Sequence, residues 1–78
     1  MQYTVHIRVF DIVPTDSGLW AVVADGVGVT VNPGKKDAVQ IGREMATGNR
    51  PSRLVIRDGQ GEIESITPFA ISIRHSKS

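Results

Sequence analysis

Apolar and polar residues alternate at the start of the chain, with Tyr3, Val5, Ile7 and Val9 on one side and Thr4, His6 and Arg8 on the other. Phe10 and Ile12 then reverse the phase. Alternation with period two predicts a strand over residues 3–13, and the reversal predicts a bulge or bend near Val9 to Asp11. Pro14-Thr15-Asp16-Ser17-Gly18 follows as a turn: proline fixes φ, Asp and Ser bond back to the backbone, and glycine supplies a positive φ. In the next segment Leu19, Ala21 and Val23 point to one side and Trp20, Val22 and Ala24 to the other, so both faces of this strand need cover. Asp25-Gly26 is a two-residue hairpin signal, and Val27, Val29 and Val31 alternate with Gly28 and Thr30 beyond it. These three strands form a meander.

The period changes after Asn32-Pro33-Gly34, where Asn or Gly can cap a helix and Pro suits its first turn. Ala38, Ile41, Gly42 and Met45, with Val39 and Ala46 beside them, mark a buried stripe on a helix over residues 35–46, while Lys36, Gln40, Arg43 and Glu44 face water. Glycine inside a helix costs about 1 kcal/mol relative to alanine, so Gly42 on the apolar stripe predicts a close approach to the sheet. Thr47-Gly48-Asn49 is expected to end the helix with a left-handed residue, just before Pro51. A second hairpin then turns through Asp58-Gly59-Gln60-Gly61, with Leu54 and Ile56 before it and Ile63 after it. Arg57 and Glu62 flank that turn and are expected to face each other. Phe69 to Arg74 alternates again, which predicts a short further strand before a frayed end at His75 to Ser78.

The expected fold is therefore α+β. One antiparallel sheet in β-β-β-α-β-β order packs on a single helix, with a short C-terminal strand as a candidate addition. One helix covers one face of the sheet, which leaves the other face as the functional question.

Seventy-eight residues read as a single domain, 1–78, with a small core. No cysteine is present, which removes disulfides and thiolate metal sites and favours a cytoplasmic setting. Met1-Gln2-Tyr3 does not read as a basic leader, and His6 and Arg8 interrupt the first apolar stretch, so no membrane association is expected. The formal charge of +1 is too small for a strong nucleic-acid footprint, yet residues 33–57 hold six of the nine basic groups.

Candidate chemistry is sparse. His6 and His75 have no partners suggestive of a triad or metal cluster, and Asp58 and Glu62 read as turn formers, not as an acid-base pair. Asp25-Gly26-Val27-Gly28 lacks the third glycine and the following helix of a phosphate loop. No catalytic residue, metal ligand or cofactor is assigned, and the chain is expected not to be an enzyme. Gly34-Lys35-Lys36 at a helix start can hold an anion, although solvated lysines are the plainer reading. With Lys35 and Lys36, Arg43, Arg50, Arg53 and Arg57 would form a weak phosphate or nucleic-acid footprint if the helix end and the later hairpin lie side by side. Trp20 is either core on the helix side or an interface anchor on the open side. In the second case Trp20 and Val22 form the patch, with Ile71 and Ile73, or a second copy of the chain, as its cover.

Several short segments occur in a familiar order: Val13-Pro14, Gly18-Leu19-Trp20-Ala21-Val22, Ala38-Val39, Gly42-Arg43-Glu44-Met45-Ala46, Leu54-Val55-Ile56 and Asp58-Gly59-Gln60-Gly61-Glu62-Ile63. Together they resemble the small prokaryotic family called domain of unknown function 2188, over residues 10–69. Leu19 departs from the pattern by interrupting the usual Gly-Trp pair, and Asn32-Pro33-Gly34 stands where the family tends to carry Asp-Thr. The resemblance implies the fold and a single domain, and no activity. A looser likeness, at the level of fold alone, links the Trp-Ala hairpin and following helix to the plant AP2-type DNA-binding domain. Two functions follow as expectations: a non-enzymatic binding or assembly module that self-associates as a homodimer or takes a protein partner, or, alternatively, a nucleic-acid-binding accessory domain.

Overall fold

The computed structural model describes residues 6–71. Its elements are β1 (Arg8–Pro14), β2 (Trp20–Ala24), β3 (Val27–Asn32), α1 (Lys35–Gly48), β4 (Ser52–Arg57) and β5 (Ile63–Phe69). They form a five-stranded sheet in the order β3-β2-β1-β4-β5, with α1 on one face.

The element order is the expected one, but the sheet is mixed. β1 and β4 run parallel, whereas the β1–β2, β2–β3 and β4–β5 pairs are antiparallel. Chain direction dictates this. Two hairpins bring β3 back parallel to β1, and a single helix then returns the chain to the end from which β3 started. A strand entering there is parallel to β1 and to β3 alike, so docking on either free edge of the meander gives a parallel pair.

Turn chemistry sets the two short hairpins of the meander and the final one. Thr15 accepts from Gly18 N–H at 3.1 Å, while its own N–H donates to Leu19 O at 2.8 Å. Asp25 and Gly26 both take positive φ, 50° and 85°, as the two-residue turn requires. In the last turn Asp58 Oδ1 accepts from the backbone N–H groups of Gln60 and Glu62, at 2.9 and 3.0 Å.

The core lies between sheet and helix. Phe10 and Ile12 from β1, Val22 and Ala24 from β2, and Leu54 and Ile56 from β4 meet Ala38 and Ala46 of α1. Trp20, Val39, Ile41, Met45 and Phe69 pack around them. Gly42 is buried in this contact, and a β-carbon there would lie 2.5 Å from Ile12 Cδ1 and 3.1 Å from Leu54 Cδ1. The expected close approach is thus present. Ser52, 2% exposed, donates from Oγ to Ala46 O at 2.6 Å and ties the start of β4 to the last helical turn.

Four local expectations need correction. β1 pairs with both neighbours in continuous register, so no bulge lies between Val9 and Asp11. The reversal of phase instead reflects two apolar faces: Phe10 and Ile12 turn to the helix, and Val9 and Val13 to the other side. Bulges occur on the edge strands, in the β2–β3 pairing at Val22/Val23 and in the β4–β5 pairing at Ile56/Arg57. The helix runs to Gly48 and ends without a left-handed residue, because Asn49, at φ −132°, caps it with its own side chain through Nδ2 to Met45 O at 2.7 Å. Phe69 belongs to β5, which passes through Pro68; Ala70 and Ile71 are not strand. The rest of the candidate C-terminal strand, including Ile73, and the early positions Tyr3 and Val5 lie outside the described residues.

Candidate interaction surface

Strand register divides the candidate residues between two faces. Trp20, Val22 and Ala24 alternate onto the helix side, where Val22 is fully buried and Trp20 is half-buried. Neither lies on the open face, because Ala21 and Val23 take that side of β2. Lys35, at the first turn of α1, sits 5.2 Å from the Trp20 ring centroid and donates to Glu64 Oε1 at 2.7 Å. The indole is thus sandwiched by core and capped by a paired ammonium group. Ile71, 52% exposed, follows Phe69 at the end of the sheet opposite Trp20, where it lines an apolar groove of about 470 Å³ with Ile7, Pro51, Pro68 and Phe69. It does not cover Trp20.

The basic residues are dispersed in the same way. Lys36 and Arg43 are exposed on the helix, on the far side from the sheet. Arg50 donates to Thr47 O at 3.3 Å and Ala70 O at 3.2 Å, and its guanidinium stands 5.3 Å from the Phe69 ring. Arg53 and Arg57 alternate with the helix-facing Ser52, Leu54 and Ile56, which places them on the other face of the sheet. Lys35 is engaged with Glu64 and Trp20. The six groups therefore do not form one patch.

No described element packs on the second face of the sheet. The register lays it out in rows across the strands. Val31, Ala21, Val13, Arg57 and Ile63 form one row, and Val23, Asp11, Val55 and Ile66 form the next. Val9, Arg53 and Pro68 form a third. Ala21 and Val55 are buried beneath their neighbours, but Val31, Ile63 and Ile66 are 61%, 53% and 53% exposed. Large β-branched side chains thus stand in water on both flanks of the face.

At its centre lies an ion pair that the sequence pattern did not reveal. Arg57 donates through Nε to Asp11 Oδ1 at 2.9 Å and through one terminal nitrogen to Asp11 Oδ2 at 3.2 Å. Its other terminal nitrogen donates to Gly61 O at 2.9 Å. The expected Arg57–Glu62 pairing is replaced by this fork, because the parallel β1–β4 pairing brings Asp11 beside Arg57. Hydrogen bonding to Asp11, and then the charge of its carboxylate, raise the Arg57 pKa above the ordinary guanidinium value. A bidentate pair has fixed geometry and direction, unlike a solvated lysine. The pair leaves two opposite charges side by side on the face, with Arg53 as a further exposed charge in the row beyond Val55.

A second cluster closes the far end of β1. Asp25 accepts from Val9 N–H at 2.9 Å through Oδ1 and from Arg8 Nε at 2.6 Å through Oδ2, with His6 Nε2 at 3.8 Å. The Val9 bond, then the Arg8 bond, hold its carboxyl below the ordinary carboxylate value. Both partners belong to the hairpin architecture. Among the described residues no group of three or more His, Asp or Glu side chains converges as a metal site would require, and no helix is long and apolar enough to cross a membrane.

The model of the family described as "Uncharacterized protein conserved in bacteria (DUF2188)" matches residues 10–67, from the core of β1 to the middle of β5. No curated protein and no solved structure matches the chain.

Proposed function

The chain belongs to this uncharacterised bacterial family, and from that premise we propose that it is a non-enzymatic binding or assembly module whose working surface is the open face of the sheet. One observation carries the reading: Val31, Ile63 and Ile66 are more than half exposed on a face that no described element covers. Large apolar side chains left in water on both flanks of an uncovered face support an interaction role for it. The face is favoured over the edges. β3 carries a bulge, and β5 carries both a bulge and Pro68, devices that discourage pairing with an added strand.

The nucleic-acid alternative has less support, since the basic groups divide between the outer side of the helix, the open sheet face and local pairings. Site-specific photo-cross-linking tests the proposal. A photoreactive amino acid at Ile66 is expected to give discrete covalent adducts in bacterial cells, while the same group at the exposed helix residue Gln40 gives none. Equal labelling from both positions, or none from Ile66, overturns the reading.

A further inference from the structure

We infer that the partner of the open face is a second copy of the same face, and that the Asp11–Arg57 fork sets the register of the pair. This inference rests on the binding reading above and adds the occupant. Its first support is charge. The fork places a negative and a positive group beside each other near the centre of the surface. A two-fold axis in the plane between two such faces, passing between Asp11 and Arg57, sets each carboxylate against the other copy's guanidinium. The directed pair is therefore complementary to itself under the symmetry that homodimers use, while Arg53, one row beyond Val55, stays exposed toward the other end of the face. An unrelated apolar partner would instead have to cover both charges without answering them, which is costly once water is removed.

Area supplies the second support. Five strands spaced about 4.8 Å apart, with β1 seven residues long at about 3.3 Å each, give a face of about 24 by 23 Å. Two copies stacked at the usual sheet separation of about 10 Å would bury about 1,000 Å² in total, which is at the lower threshold for a specific interface. Val31 on one flank and Ile63 and Ile66 on the other supply the apolar contact. An interface of this size belongs to the weak, concentration-dependent class.

Sedimentation equilibrium of the full chain, from micromolar to millimolar concentration, is the test. A reversible monomer–dimer equilibrium is expected, and Ile66→Lys should weaken it by at least about tenfold because the interface would bury an unanswered ammonium group. The charge-exchanged variant Asp11→Arg/Arg57→Asp should still dimerise with itself. Mixed with the parent chain it should form no heterodimer, since like charges would then oppose each other across the axis. A compact monomer throughout overturns the inference, as does dimerisation indifferent to Ile66→Lys. If the charge-exchanged chain does not fold, as judged by circular dichroism, the Ile66→Lys comparison decides alone. The cross-link separates the two readings: an adduct of twice the chain mass supports the dimer, whereas an adduct to another protein keeps the binding surface and overturns its occupation by a second copy.

Discussion

Replacing Gly42 by alanine should destabilise the protein, although alanine is the better helix former. At an unconstrained helical site the exchange gains about 1 kcal/mol. Here the new β-carbon would stand 2.5 Å from Ile12 Cδ1, against an ordinary carbon contact of about 3.5 to 4.0 Å. Ile12 is fully buried, so its terminal methyl group has no solvent to retreat into. It must push on the neighbouring core, or the helix must lift from the sheet. Overpacking of this kind costs about 1 to 3 kcal/mol, so the net loss should be about 1 kcal/mol, or about 4 to 8 °C in Tm for a domain of this size. Gly48, where an added β-carbon meets nothing within 4 Å, is the control: Gly48→Ala should gain about 0.5 to 1 kcal/mol. Urea denaturation followed by Trp20 fluorescence reads both. The cause is then isolated with Ile12→Val, which removes the offending methyl. Alone it should cost about 0.5 to 1.5 kcal/mol, and in the Gly42→Ala background close to nothing. A rise in the denaturation midpoint for Gly42→Ala, or an equal cost of Ile12→Val in both backgrounds, would refute the close-approach argument.

Two further substitutions probe the joints of the fold. Ser52→Ala removes the buried hydrogen bond to Ala46 O and should cost about 1 kcal/mol, with faster hydrogen exchange confined to the last turn of α1; unchanged exchange there would separate Ser52 from the helix end. Asp25→Asn should flatten the acid limb of stability. The Asp25 carboxyl, whose ordinary value is 3.8, is held lower in the folded chain by the Val9 N–H and Arg8 bonds. Its contribution is therefore present above that ordinary value and is lost as pH falls through the depressed one. Asparagine keeps an acceptor for Val9 N–H and tolerates the positive φ of 50°, so an acid limb as steep as the parent's would discount the charge of Asp25.

Much of the architecture is dictated locally. The Asp25-Gly26 and Asp58-to-Gly61 turns, the helix stripe through Ala38, Gly42 and Met45, and the one-helix cover of the sheet all follow from periods and turn residues within a few positions of one another. The parallel sense of β4 relative to β1, though not its choice of β1 as neighbour, was implicit there too, because the sense of each strand follows from counting reversals along the chain. An antiparallel expectation overlooks that the single helix is one of those reversals. The Val9 region failed for a different reason. Alternation cannot tell a bulge from a strand that is apolar on both sides, since either one produces consecutive hydrophobic residues.

Local periods and turn residues thus define the set of elements and a sheet with more apolar surface than one helix can cover. Which residues make up the uncovered part was decided only by tertiary structure. Trp20 drew attention as the one tryptophan of the chain, but the side of the sheet it occupies depends on where α1 lands, and α1 lands over Trp20, Phe10 and Leu54. The open face passed instead to Val31 and, more than thirty residues on, to Ile63 and Ile66, all unremarkable as single residues. The Asp11–Arg57 fork joins positions 46 residues apart through strand pairing that no local pattern encodes. Local periodicity sets which way a side chain points relative to its neighbours, whereas the register between distant strands sets what it meets.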